Sequence, residues 1–258
     1  MKNSSASTVR ALSGGSCRHC LGLHFVAVLL IALNSAPHAH AQFTTQFNAT
    51  DDTRILANFP TSNGNGGPLA AYNDGTSNIQ NTLIFFDLSS LSAYHQVTQA
   101  TLTLTLDSFN FQGNNGGVPT YIYQLTKPWV ESSVTWNTTD GSTPWTTPGG
   151  DMVGTSGTSL TAPFASNSTS VPGGNTVDGQ TFTFDVTNLV NSWLAGMPND
   201  GMAVVPSGAH TALEFYSNNT GPGPSISIDV PEPGAYAALA GLVALGISAL
   251  RRHRNISN

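Results

Sequence analysis

The sequence predicts an all-β protein built as an antiparallel β-sandwich, with a removable segment at each end. Two observations indicate the fold: apolar and polar residues alternate along several short segments, and Gly, Pro, Asn and Ser clusters separate those segments. A parallel α/β sheet would instead show strands alternating with long amphipathic helices. A third observation, the apolar and basic runs near both termini, confines the folding domain to residues 42–229.

The strands are predicted where the two-residue period is clearest. Leu102 and Leu104 share one face of a strand, and Thr103 lies on the opposite face. The last predicted strand, residues 225–230, alternates in the same way. Further strands are predicted at 83–86, 121–123, 181–184, 202–205 and 213–216.

One segment has helical periodicity. Leu189, Val190 and Trp193 recur at a spacing of three to four residues, which places them on one side of a helix. Thr187 can serve as the N-cap and Gly196 as the C′ residue. We therefore expect a single short helix near residues 187–195, closing one end of the sandwich.

Residues 1–41 have the layout of a secretory signal peptide. Basic residues precede an apolar run at 25–33, and Ala39 and Ala41 form a small-x-small cleavage site. Cleavage is predicted after Ala41. The two cysteines, Cys17 and Cys20, both lie in this segment, so the mature domain is expected to have no disulfide and no thiol chemistry.

The charges are distributed unevenly. Six of the eight basic residues lie in the two end segments, whereas thirteen of the fourteen acidic residues lie between them. Only Arg54 and Lys127 offset these acids, so the middle has a formal charge of 2 − 13 = −11. A surface so poor in cations cannot neutralise phosphates, which excludes nucleic-acid binding.

The C-terminal segment has three parts in a fixed order. A Pro-Glu-Pro tripeptide is followed by an uncharged stretch at 234–250 and then by a basic cluster. This order resembles the PEP-CTERM sorting signal of Gram-negative bacteria. The resemblance implies recognition by an exosortase, transient anchoring in the inner membrane through a hydrophobic helix, and placement at the cell surface or in the extracellular matrix. The sorting-signal residues are Pro231, Glu232, Pro233, Arg251, Arg252 and Arg254.

Several segments of the middle domain, taken in order, resemble DNRLRE-type domains. They are Asp52 and the stretches 83–91, 97–105, 129–137, 185–194 and 199–201. The resemblance implies a jelly-roll-like β-sandwich, similar to carbohydrate-binding modules and found beside polysaccharide-active domains. Phe85 stands where a basic residue is usual. With so few cations in the domain, we expect a neutral glycan rather than an acidic one.

Catalytic motifs are scarce. There is no Gly-x-Ser-x-Gly and no His-Glu-x-x-His, and we expect His95 and His210 to be solvated loop residues. Carboxylates are abundant enough for a glycosidase pair, although abundance does not place two of them together. Hydrogen bonds to turn amides explain some of them equally well, and Asp107 is expected to be solvated. The candidate carboxylates are Asp87, Asp107, Glu131 and Glu214.

Cofactor binding is not expected, with one exception. Asp51 and Asp52 are adjacent hard-oxygen ligands and could hold a structural Ca²⁺ ion, although no Asp-x-Asp-x-Asp-Gly loop surrounds them.

The tryptophans are the candidate sugar contacts, since a flat ring can cover the apolar face of a pyranose. Trp136 and Trp193 lie in strand and helix patterns, and we expect both in the core. Trp145 lies in a Pro- and Gly-rich loop, where either glycan contact or packing of the loop would explain it.

Taken together, these features predict an exported, exosortase-sorted protein whose sandwich is non-catalytic and binds a neutral glycan. Two alternatives remain open. The first is a purely structural matrix protein without a ligand, and the second is a polysaccharide lyase or hydrolase.

Overall fold

The computed structural model describes residues 42–107, 120–158, 160, 162–167, 178–209, 211–231 and 245–247. Over these ranges twelve strands form two antiparallel sheets, joined by a 3₁₀ turn at Ser89–Leu91 and one α-helix, α1 (Thr187–Leu194). The strands are β1 (Gln42–Asn48), β2 (Asp51–Leu56), β3 (Leu69–Asn73), β4 (Ile79–Phe85), β5 (Gln99–Thr105), β6 (Thr120–Leu125), β7 (Met152–Val153), β8 (Ala165–Asn167), β9 (Thr181–Asp185), β10 (Met202–Pro206), β11 (Thr211–Phe215) and β12 (Ser225–Pro231). The predicted all-β sandwich is confirmed.

The smaller sheet has the order β1-β12-β5-β9. Buried and more exposed residues alternate along β5, β9 and β12, because one face packs on the core and the other meets solvent. The predicted alternation of Leu102 and Leu104 against Thr103 is confirmed, since both leucines are fully buried and Thr103 is partly exposed.

The larger sheet has the order β11-β3-β4-β10-β6-β7, with β2 also paired to β4 and β8 to β6. Two of its strands are covered on both faces: five consecutive residues of the central strand β4 are buried, and so are all five of β11 at the end of the sheet. In strands that are buried on both faces, apolar and polar residues need not alternate.

The main core lies between the sheets, because it combines Leu102 and Ile226 of the smaller sheet with Ile84 and Met202 of the larger one. A second core covers the opposite face of the larger sheet. It consists of Ile55, Leu83, Leu125, Val134, Trp145 and Ala203, so strand residues pack there against the loop at 126–151.

The helix buries Leu189, Val190 and Trp193, as predicted. Gly196 is confirmed as its C′ residue, since it has φ +108° and its amide donates to the Trp193 carbonyl at 3.0 Å. The predicted N-cap is wrong by one residue. Val186 occupies that position, and the Thr187 hydroxyl instead accepts a hydrogen bond from the Ala100 amide at 2.9 Å, which ties the helix to β5.

Several predictions fall outside the described residues. These concern the signal-peptide site at Ala39 and Ala41, the loop residue His210, the sorting-signal residues Glu232, Pro233, Arg251, Arg252 and Arg254, and most of the predicted helix at 234–250. Of that helix, only a helical turn at 245–247 is described. Across the part of the chain that the structure describes, no helix has the length and apolar character to cross a membrane.

Candidate functional site

A pocket of about 230 Å³ opens where β2 begins and β4 ends. Asp51 and Phe85 are directly opposite each other in the β2–β4 ladder, so strand pairing brings them to the same place. Its lining residues are Asp51, Phe85, Pro128, Trp129, Asn199 and Asp200. We call it the Trp129 pocket.

The turn before β10 is held in place by its own side chains and by Trp129. Asn199 Nδ2 donates to the Phe86 carbonyl at 2.9 Å, and Asn199 Oδ1 accepts from the Gly201 amide at 3.1 Å. Trp129 Nε1 donates to the Asp200 carbonyl at 3.1 Å. The Trp129 indole therefore lines the pocket and also holds the turn through its hydrogen bond.

The lining combines aromatic surface with acidic acceptors. Burial raises the pKa of the Asp200 carboxyl above its ordinary value. None of the six lining residues is a cation. Such a lining accepts hydrogen bonds from hydroxyl groups and repels anions.

A second polar cluster lies beneath the surface around β2. Asp52, which is 1% exposed, accepts a hydrogen bond from the Asn218 amide through Oδ2 at 2.9 Å, and its own amide donates to Glu131 Oε1 at 3.0 Å. Burial raises the pKa of Asp52 to about 6. Arg54 forms an ion pair with Glu214 at 3.4 Å, and burial nevertheless raises the pKa of Glu214 to about 7. These contacts are those of an internal polar network that joins β2, β11 and two loops.

The four candidate carboxylates do not form one site. Asp87 is exposed and accepts from the Ser89 amide at 2.9 Å, as the turn-amide interpretation predicts, whereas Glu131 accepts from the amide of Asp52, a residue of strand β2. The expectation that Asp107 is solvated is wrong: it is 9% exposed, and its amide donates to the Glu214 carbonyl at 3.0 Å. The chain passes from β5 towards β11 at this point, which carries Asp107 off the solvated face.

The predicted Ca²⁺ ligands are separated by strand geometry. Asp51 lines the Trp129 pocket, whereas Asp52 belongs to the internal network, because adjacent strand residues point to opposite faces. Among the described residues, no group of three or more His, Cys, Asp or Glu side chains could hold a metal ion. His95 is exposed, as predicted.

Trp145 is a core residue. Its side chain is 4% exposed, packs in the second core, and donates through Nε1 to the Thr135 carbonyl at 3.0 Å. Of the two roles left open, the structure supports packing, so the proposed glycan contact at Trp145 is corrected. Trp193 is buried, and Trp136 packs partly buried against the second core, as expected.

The sequence reasoning missed the Trp129 pocket, although its residues were visible. Phe85, Trp129, Asn199 and Asp200 all lie in segments noted for their resemblance to DNRLRE-type domains. These segments meet at the ends of β4, β6 and β10, which the linear order does not reveal.

The described residues therefore form a two-sheet antiparallel β-sandwich, in which the Trp129 pocket has acidic and aromatic lining residues. The chain belongs to the family of the disaggregatase related repeat domain, which matches residues 70–223. Residues 229–254 match the PEP-CTERM protein-sorting motif. The chain is therefore sorted for export across the inner membrane to the surface or the outside of the cell, and the motif implies recognition by an exosortase. A search of curated proteins found no match. The DNRLRE-type resemblance stays a prediction.

Proposed function

We propose that this chain is a cell-surface or extracellular-matrix protein whose β-sandwich binds a neutral glycan at the Trp129 pocket without catalysing a reaction. The observation that carries this proposal is the composition of the pocket lining. Trp129 and Phe85 offer apolar ring surface for a pyranose, while Asp51, Asn199 and Asp200 offer acceptors for its hydroxyl groups.

Charge selects against acidic glycans. A uronate entering the pocket would approach Asp51 and Asp200 within a domain of formal charge 2 − 13 = −11. The cations are also engaged elsewhere: Lys127 contacts Asp151 Oδ2 at 2.7 Å, and Arg54 contacts Glu214. A neutral sugar avoids this repulsion.

The size of the pocket limits the ligand. Ligand pockets for drug-sized molecules span about 300–1,000 Å³, so a pocket of about 230 Å³ is small and suits a single sugar ring. A chain end or a short branch of a larger polysaccharide fits these dimensions, and the affinity is expected to be weak.

A glycan array with the secreted protein, followed by calorimetry, tests the proposal. Asp51→Asn and Asp200→Asn keep the side-chain shape and change the acceptors, so each is expected to weaken binding by about tenfold while leaving the unfolding midpoint within a few degrees. Asp87→Asn is the matched control, because it makes the same charge change at an exposed site outside the pocket.

The salt dependence gives a second readout. Binding by ring stacking and neutral hydrogen bonds should change little with added salt, because few ion pairs are present to screen. Tight binding of a polyuronate that collapses in salt would contradict the proposal. An array on which no glycan binds would instead favour the purely structural matrix protein.

A hydrolase is the second candidate, and one observation favours it. Asp51 and Asp200 share the pocket, and burial raises the pKa of Asp200, as the pKa of a general acid is raised in a glycosidase. The family description also relates this repeat to a disaggregatase. Release of reducing ends from a bound polysaccharide, abolished by Asp200→Asn, would establish this function and overturn the non-catalytic proposal.

A further inference from the structure

One strand belongs both to the folded domain and to the sorting motif. β1 and β12 pair over their whole lengths, from Gln42 opposite Pro231 to Asn48 opposite Ser225. The sorting match begins at residue 229, so its first three residues are the last three of β12. Gln42 is also the first residue after the predicted signal-peptide cleavage. The two processed ends of the domain therefore lie side by side in one ladder.

Asp229 is held on both sides. Its Oδ1 accepts a hydrogen bond from the Thr44 hydroxyl at 2.5 Å on the β1 side. Its carbonyl accepts from the Thr98 amide at 2.8 Å and from the Thr98 hydroxyl at 3.0 Å on the other side. Three hydrogen bonds thus fix the residue at which the sorting motif begins.

Val230 and Pro231 depend on β1 for their backbone pairing. The ladder between β5 and β12 ends at Gln99 opposite Asp229, whereas the ladder with β1 continues to Pro231. The Val230 side chain is 2% exposed and packs in the main core. Removing β1 would leave these two residues attached to the sheet by the Val230 side chain.

An enzyme that cuts a peptide bond must take the residues around that bond into its active site, so their backbone and side chains have to be free of the sheet and the core. A strand residue that is paired to its neighbours meets this need only after local opening of the ladder. Among residues 229–231 the cost of opening is greatest at Asp229, which is held on both sides, and least at Pro231, which is paired on one side.

We propose that β1 is a positioning element for sorting, which keeps residues 229–231 in the sheet and thereby confines cleavage by the exosortase to peptide bonds C-terminal to Pro231. β1 takes no part in breaking the bond, which is the work of the exosortase. The inference depends on the strand register and the sorting motif, and it is independent of glycan binding at the Trp129 pocket.

A pair of proline substitutions tests this. Successive N–H groups of a strand point to opposite edges, so of Thr45→Pro and Gln46→Pro one removes a donor to β12 and the other removes a donor on the far edge. Among the described strands β1 pairs with β12 alone, so the second variant leaves the ladder intact and serves as the matched control. Thr44→Ala separately measures the loss of the hydroxyl bond to Asp229.

The readouts are the C-terminal masses of the secreted protein, from a host that has the exosortase, and hydrogen exchange at the Val230 amide. The wild-type chains are expected to end at or beyond Pro231. The variant that breaks the ladder should expose Val230 to exchange and increase the fraction of chains ending before Pro231 by about tenfold, the shift in opening expected from one lost hydrogen bond. The control proline should behave as wild type.

Two results would overturn the proposal. One is a wild-type C-terminus that already lies before Pro231. The other is a ladder-breaking variant with an exchange-exposed Val230 and an unchanged C-terminus. If neither proline variant is secreted, Thr44→Ala decides: more chains ending before Pro231 support the proposal, and an unchanged distribution contradicts it.

Discussion

Arg54 Nη1 lies 3.4 Å from Oε1 of Glu214, so a nearly buried ion pair connects β2 to β11. The ion pair does not hold the pKa of the Glu214 carboxyl at its ordinary value. Burial, the largest effect, and the nearby Asp107 raise the pKa of Glu214 to about 7 against the opposing effect of Arg54. Asp52 in the same network has a pKa raised to about 6, mainly by burial.

These two carboxyls predict that the domain loses stability as the pH rises through neutrality. Their folded pKa values exceed the unfolded ones, so the folded state binds more protons between about pH 4 and 7. The stabilisation is complete below the unfolded pKa and is lost as the pH rises through the folded pKa. Chemical denaturation should show the free energy of unfolding falling by about 1–3 kcal/mol between pH 5 and 8.

Glu214→Gln is the variant that isolates the effect, because the amide is neutral at every pH and should flatten this decline. Asp140→Asn is the control, since hydrogen bonds from the Thr143 and Ser142 amides lower the pKa of Asp140 and its contribution is lost only as the pH falls. A Glu214→Gln protein with the wild-type slope would show that burial of the Glu214 carboxyl is not the source of the pH dependence.

Because one face of β5 packs on the core, alanine substitutions at two adjacent positions of this strand should lower the free energy of unfolding by unequal amounts. Leu104 is fully buried opposite Phe182, whereas Thr103 is partly exposed on the other face. Leu104→Ala should lower the free energy of unfolding by about 2–5 kcal/mol, because it leaves a cavity between the sheets. Thr103→Ala should cost well under half as much. Similar denaturation midpoints for the two variants would mean that Leu104 does not face the core while Thr103 faces solvent.

Alanine substitution at two glycines with positive φ should lower the free energy of unfolding by different amounts. Gly201 has φ +91°, and a Cβ there would lie 2.5 Å from the Ile84 carbonyl oxygen; Gly196 has φ +108° with nothing within 4 Å. Gly196→Ala should therefore cost only the backbone strain, about 1–2 kcal/mol. Gly201→Ala adds a steric clash and should cost about 2–5 kcal/mol. Thermal unfolding of the pair measures the difference, and equal losses would exclude the clash.

The strands that the sequence predicted best lie in the smaller sheet. β5 and β12 each face solvent on one side, so their burial alternates and their sequences do too. β1 and β2 were not predicted. The Asp51–Asp52 pair at the start of β2 suggested ligands for an ion. The conformation of this segment is instead determined by the pairing of β2 with β4. That pairing is a long-range contact, which local patterns do not encode.

The position of the candidate site was not predicted, because the sequence analysis offered Trp145 as the sugar contact. Acceptors and aromatic rings on a cation-poor surface were expected, and the Trp129 pocket has both. Its position depends on three segments that meet at strand ends, and on a loop that covers the outer face of the larger sheet. The Pro- and Gly-rich composition around Trp145 indicated a loop correctly, but it did not indicate that the loop packs on a sheet.

Trp145 gives the sharpest test of that packing. Its indole is 4% exposed, contributes to the second core, and donates to the Thr135 carbonyl at 3.0 Å. Trp145→Ala should therefore lower the free energy of unfolding by about 3–5 kcal/mol, while Trp145→Phe should retain much of the packing and lose the hydrogen bond. Phe59→Ala is the control, because that ring is 58% exposed and its loss should change stability by less than about 1 kcal/mol. Glycan binding measured well below the unfolding midpoint should survive in Trp145→Ala. An unchanged midpoint together with lost binding would instead make Trp145 a ligand contact, and the buried placement of its ring would be wrong.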